Sequence, residues 1–285
     1  MSHSRQIAVT AVGVVAAIAV IVTLLRTGRN RLRPVAPSAP THTEVSRGEV
    51  TDTVTERDPA ALAELERMGA YLRTLKAFQL KADVVTEDVR TDGQKVQIIR
   101  TVDLVAKPPN RLFADIKNDR QRRLFFYDGS NFTLFAPRSL YYATVPAPNT
   151  IEKLADDLED KYDIELPLVD LFRWGTPEAS IGDITSAVDL GPSAIHGVTC
   201  EQYAFRQEGI DWQLWVQRGD QPLPCRIVIT TLTDEARPQH TATYSWNLAP
   251  SYDDATFVFR TPSDAKRIPI VEVPVVAPSS NAAGK

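Results

Sequence analysis

From residue 58 onward the chain alternates between helical and strand periods. Asp58-Pro59 is a helix start, an N-cap acceptor followed by proline at the first helical position. Leu62, Leu65, Met68, Leu72 and Leu75 then recur at three- and four-residue steps, with Glu64, Glu66, Arg67 and Arg73 between them. That spacing predicts an amphipathic helix of about 17 residues with one apolar stripe to bury. Phe78, Leu80, Ala82 and Val84 switch to alternation. Strand patterns follow at 96–106, 111–116, 122–127, 132–135 and 140–145, with turn signals at Asp92-Gly93, Pro108-Pro109 and Asp128-Gly129. Behind Asn149-Thr150, the residues Ile151, Leu154, Leu158 and Tyr162 share a helical face, and the apolar stretch 166–174 extends this into one or two helices. Strand patterns resume at 184–190, 198–205, 210–216, 225–232, 241–248 and 256–260. Short connections favour pairing between sequence neighbours, and the helical stripes need a partner surface. The expected class is mainly β with helices (α+β), one large curved antiparallel sheet with its helices on one face.

The two ends behave differently. Residues 8–25 carry no charge and are bounded by Arg5 and Arg26. A helix of that length spans roughly 27 Å, close to the bilayer core. A cleaved signal has a shorter apolar region and a small-x-small cleavage site. Here Arg26, Arg29, Arg31 and Arg33 stand where that site belongs, so an uncleaved transmembrane anchor is favoured over a signal peptide. The four arginines would place the C-terminal side in the cytoplasm by the positive-inside rule; export is expected all the same, for reasons given below. The organisation is then 1–33 anchor or signal segment, 34–57 linker stiffened by Pro34, Pro37 and Pro40, 58–270 folded domain, and 271–285 flexible tail.

Composition narrows the chemistry. The chain has 285 residues and a net charge of −4, without the basic surplus of a nucleic-acid binder. His196 and His240 are the domain's histidines, and neither has a metal-ligand spacing around it, so surface or turn roles are expected. No G-x-S-x-G, phosphate loop or G-x-G-x-x-G is present, and no nucleophile–base pair can be assembled, so neither catalysis nor a cofactor is expected. Asp156, Asp157, Glu159, Asp160, Asp163 and Glu165 read as the solvated face of a helix, or as a partner-docking surface. Arg120, Arg122 and Arg123 read as a charged strand edge, or as a contact for anionic lipid headgroups. Cys200 and Cys225 would meet an oxidising compartment if exported, where a disulfide is expected over two buried thiols or a redox pair. Their strands are second neighbours in a meander, so a bridge requires the middle strand to end first; residues 218–224 offer that ending.

This order of elements resembles the LolA/LolB-like fold, an open half-barrel of about eleven antiparallel strands with helices in its concavity. Several segments resemble, more closely, a family of predicted periplasmic proteins of unknown function in that superfamily. They are RLFFYDGSNFTLFAP from Arg123, LYYATVPAP, IEKLADDLEDKYDIELPLVDLF, AIHGVTCEQYAF, the pair Pro224-Cys225, and ATFVFRTPSDAKRI. The resemblance covers 60–268 and implies fold and compartment. The superfamily includes lipoprotein carriers, envelope-stress sensors and lipid-binding lipoproteins; the family itself implies no catalytic residue.

The paired aromatics Phe125-Phe126 and Tyr141-Tyr142, with Trp212 and Trp215, put bulk on both faces of strands. A residual apolar cavity for acyl chains is one reading and ordinary packing the other. The expectation is a periplasmic, membrane-anchored, non-enzymatic protein that binds a lipid or acylated ligand. The expected strand lining is Phe78, Leu80, Phe113, Phe126, Phe132, Leu134, Trp212, Leu214 and Trp246. Leu158, Leu168, Leu171 and Phe172 are the expected helical lid. The alternative is an envelope sensor or scaffold that binds a protein partner, its interior filled by its own side chains. No nucleic-acid partner is expected.

Overall fold

The computed structural model describes residues 57–272 except Glu178. Helix α1 (Pro59–Thr74) starts where Asp58 accepts a hydrogen bond from the Ala60 amide at 2.8 Å. Its buried stripe is Ala61, Leu65, Met68, Gly69 and Leu72. Six strands follow as a meander: β1 (Phe78–Val89), β2 (Lys95–Lys107), β3 (Arg111–Lys117), β4 (Arg122–Tyr127), β5 (Asn131–Ala136) and β6 (Tyr141–Pro146). Helices α2 (Ile151–Tyr162) and α3 (Asp170–Arg173) interrupt the strands. The 166–174 stretch therefore yields only four helical residues; turns fill the rest.

A second meander comprises β7 (Ser186–Ile195), β8 (Val198–Gln207), β9 (Ile210–Gln217), β10 (Pro224–Thr231) and β11 (Gln239–Asn247). Strands β1 and β11 pair antiparallel, Leu80 opposite Trp246, and so join both meanders into one sheet. The eleven expected antiparallel strands are present, and a two-residue strand β12 (Lys266–Arg267) adds a parallel pair on the outer side of β6. The sequence gives no hint of β12, because two residues carry no period.

One expected strand is corrected. Residues 256–260 are not extended pairing sequence; Asp254–Phe257 form a 3-10 turn, capped by Asp253, whose carboxylate accepts from the Ala255 amide at 2.7 Å. The alternating aromatics there are plugs rather than a strand face. Phe257 is fully buried and Phe259 packs on Phe126, Phe135 and Tyr142 at 5.0–5.4 Å.

The two faces of the sheet are distinct. Pairing registers put Leu80, Leu104, Ala114 and Phe125 on one face, where α1, α2 and the 164–184 segment share a single hydrophobic core with them. The opposite face carries Phe113, Phe126 and the disulfide. Cys200 and Cys225 are bonded with Cα atoms 7.0 Å apart. Second-neighbour strands lie roughly 9.6 Å apart, too far for that bond. Strand β9 ends at Gln217, the partner of Cys200, and β10 shifts register between Pro224 and Arg226, which lets the two sulfurs meet. Trp215 and Val228 pack around them.

Among the described residues no helix is long and apolar enough to cross a membrane. The expected anchor at 8–25, nearly all of the linker at 34–57 and most of the 271–285 tail lie outside the described residues.

Candidate functional site

The helical cover is tied down from α1. Arg73 donates to the Leu171 and Phe172 carbonyls at the end of α3, and its guanidinium lies 3.4 Å from Glu152 of α2. Gly69 of α1 faces Gly175 so closely that a Cβ at Gly69 would stand 2.7 Å from the Gly175 amide nitrogen. Two backbones meet there, which is why no larger residue fits.

Under this cover the space is mostly filled. Tyr127, Phe132, Phe172, Leu154 and Leu158 are among the largest fully buried side chains. An apolar cleft is present among the described residues. It lies between Leu65 of α1, the segment from Asp170 to Ile184, and the β8–β10 strands, where Ile210, Trp212, Ile227 and Ile229 form its floor. Its water-accessible volume is about 70 Å³. By that measure one water needs roughly 10–15 Å³, so the cleft admits the end of an alkyl chain, and a longer chain requires the cover to lift.

The expected lining divides between the faces. Phe78, Leu80, Phe132, Trp212 and Leu214 are buried on the helix-covered face, with Leu134 and Trp246 partly buried there. Leu158, Leu171 and Phe172 are buried beneath the helices, and Leu168 packs beside them. Of all these, Trp212 lines the cleft; its indole N–H donates to Gln207 at 3.1 Å. Phe113 and Phe126 do not belong to this face. They pair with each other across β3 and β4, rings 5.1 Å apart, and face the Phe259 plug. Strand alternation cannot say which of Phe125 and Phe126 points inward; the long-range register decides it.

Some polar groups that the sequence pattern consigns to the surface lie elsewhere in the fold. His240 is not a turn residue: it lies on the covered face, its Nδ1 3.1 Å from Thr86 Oγ1, and burial pulls its pKa down to about 4. His196 does sit in a turn, between β7 and β8. Glu165 keeps access to water yet has protein around its carboxyl; burial, then the charges of Asp170 and Glu159, push its pKa up to about 7 against Arg100 and Arg173. Burial likewise raises Asp170. Arg173 is buried and holds Asp156 at 2.9 Å and Glu159 at 3.5 Å, so part of the acidic run pairs with a cation while Asp156 still faces water. The Arg120–Arg123 cluster is corrected too. Strand β4 is central rather than an edge, and its two arginines diverge: Arg122 binds Asp115, while Arg123 is paired with Ile116, on the covered side.

Among the residues lining the cleft, Ser180 is the hydroxyl, and it accepts from the Gly182 amide at 3.1 Å; no histidine stands beside it. Chemically, the site is a mostly apolar slot whose charged lining residues are Asp170, Arg173 and Asp183.

No curated protein matches this chain. Solved structures similar to it include the lipoprotein LppX of Mycobacterium tuberculosis, 16% identical, covering 69% of this chain and 100% of that one with a TM-score of 0.44. LprF of Mycobacterium bovis is 15% identical, covering 74% and 100% at 0.42. A LolA superfamily protein of Nitrosomonas europaea is 13% identical, covering 70% and 97% at 0.35. The profile of the family described as Predicted periplasmic protein (DUF2092) matches residues 61–271, most of the chain and nearly all of the described fold, and the protein belongs to that family.

Proposed function

We propose that this is a non-enzymatic periplasmic protein that takes the apolar chain of an amphipathic ligand, a lipid or an acyl group, into the cleft beneath its helical cover. Residues 8–25 would anchor it to the inner membrane with the domain outside. The observation that carries the reading is the cleft itself: Leu65, Ile181, Ile184, Ile210, Trp212, Ile227 and Ile229 give it apolar walls, with Asp170, Arg173 and Asp183 among the residues that line it. Each methylene buried there contributes about 0.8 kcal/mol, so a chain binds without any sequence motif. The test is native mass spectrometry of the full chain purified from a bacterial envelope, with lipid extraction of the same sample. A near-stoichiometric amphiphile supports the reading. A bare mass, together with no uptake of a fluorescent fatty acid, overturns it.

A second reading has its own support. Most of the covered face is filled by the protein's own side chains, Phe172 and Leu158 among them. A sensor or scaffold that binds a protein partner needs no empty interior. The bare mass would favour it.

A further inference from the structure

Two arginines stand on the helix-covered side of the sheet at the edge of its apolar core, Arg100 half-buried and Arg123 exposed. Arg100 is opposite Val84, a core residue, and Arg123 is opposite Ile116, which packs on the same core. Among the described residues, no carboxylate comes within ion-pair distance of either. Arg100 is half-buried; burial lowers its pKa, Glu165 acts against that, and Arg123 is close enough to add to it. Two like charges thus share one part of the face with no anion set against them at contact. An arrangement of that kind favours whatever anion comes between the two guanidinium groups.

The same part of the sheet leads straight to the cleft. Ile227 is paired with Ala242, Ala242 with Val84, and Val84 with Arg100. This row crosses three strand spacings, about 14 Å. It begins in the cleft floor and ends at the guanidinium. The residues between, Ala242 and Val84, are small, apolar and buried, so the row is a track that opens to a chain only when the cover lifts.

We propose that Arg100 and Arg123 form the head-group subsite of this cleft, taking the anionic group of a single-chain amphiphile, a carboxylate or a phosphate ester, whose tail lies along the track to Ile227. The inference rests on the cleft's taking an apolar chain. It adds that the head is negatively charged and names where it sits. Glu165 acts on Arg100 from beyond ion-pair distance and leaves the guanidinium open to a ligand's anion. His240 stays neutral near pH 7 and adds no cation to the subsite.

The test uses the full-length chain held free of detergent in an amphipathic polymer. Tail-brominated dodecanoate, dodecyl phosphate and dodecanol are titrated by quenching of tryptophan fluorescence, with inorganic phosphate as the tail-free arm. Both anionic ligands are expected to bind at least tenfold more tightly than dodecanol, and the preference to shrink as salt rises. The carboxylate and phosphate arms say which head is preferred. In the double variant Arg100→Gln with Arg123→Gln, the preference is expected to vanish while dodecanol binding persists. Arg122→Gln, on the opposite face with Asp115, is expected to change neither. Circular dichroism and a thermal melt check that each variant is folded. Equal binding of all three ligands, or a preference that survives in the double variant, overturns the head-group assignment and leaves the cleft reading standing. Tight binding of inorganic phosphate alone overturns it in favour of a free-anion site. No binding of any tailed ligand overturns both.

Discussion

Arg73 belongs to α1 yet satisfies the last carbonyls of α3 and faces Glu152 of α2, so one guanidinium holds three helices over the sheet. Burial lowers its pKa, but guanidinium stays charged in proteins, and its Nε finds no partner. Arg73→Ala removes charge-assisted bonds to buried carbonyls and is expected to cost about 1.5–3 kcal/mol, read as a lower midpoint in urea. Gly69→Ala drives a methyl into the Gly175 backbone and is expected to cost at least as much, despite alanine's better helix propensity. Glu165 gives a pH signature. Its folded pKa of about 7 lies above its ordinary 4.5, so its contribution to stability is full below pH 4.5 and is lost as pH rises through 7. The groups facing it are Asp170, Glu159, Arg100 and Arg173. Glu165→Gln is therefore expected to be the more stable protein at pH 8, by up to about 1 kcal/mol once its access to water is discounted, and to lose that advantage at pH 5. His240 works the other way, its stabilisation fading as pH falls from 6.5 toward 4, but it is common to both proteins and drops out of the comparison. Paired melts at the two pH values check this.

At the scale of elements, the disulfide closes the end of the β8–β9–β10 meander that the hydrogen-bond ladder leaves open. Its ring spans 25 positions, which the chain-entropy account values at roughly 3–4 kcal/mol. Reduction is expected to lower the thermal midpoint without dissolving the sheet, as measured by far-ultraviolet circular dichroism before and after reductant. Much of this scale was legible in the sequence. Period and turn residues located α1, α2 and eleven strands, and the break after Gln217 was readable from the residues that follow it. What escaped has physical causes. Phe257 and Phe259 alternate like a strand because a plug inserted into a sheet face also spaces its anchors in twos. Phe113 and Phe126 were assigned inward because alternation fixes only relative sides. Glu165 and His240 read as surface or turn residues because polar side chains are ordinarily solvated, and no pattern singles out Arg100; only the long-range register places His240 and Arg100 on the covered face.

Across the whole molecule, the proposed uptake turns on how easily the cover leaves the sheet. The cleft is smaller than a chain, so on that reading a ligand enters only with motion of the 164–184 segment. Ala179→Trp, at the rim of the cleft, is expected to reduce fatty-acid uptake at least tenfold while shifting the thermal midpoint by only a few degrees, since the residue is not in the deep core. Equilibrium dialysis beside a melt distinguishes blocking from unfolding. The cleft's place in the fold was not readable from sequence, because its walls come from α1, a loop and three strands of the second meander, joined only by tertiary packing.

The seam between β1 and β11 reaches further than the site. Thr86 meets His240 across 154 positions of sequence, and every strand between depends on that seam for its place in one sheet. A chain made and exported from its N-terminus offers the first strand long before the last. Until β11 emerges, β1 presents an unsatisfied ladder to everything in the envelope. The architecture thus sets a timetable: the early meander must wait, unpaired along one side and exposed to chaperones or to aggregation, for almost the entire domain to arrive.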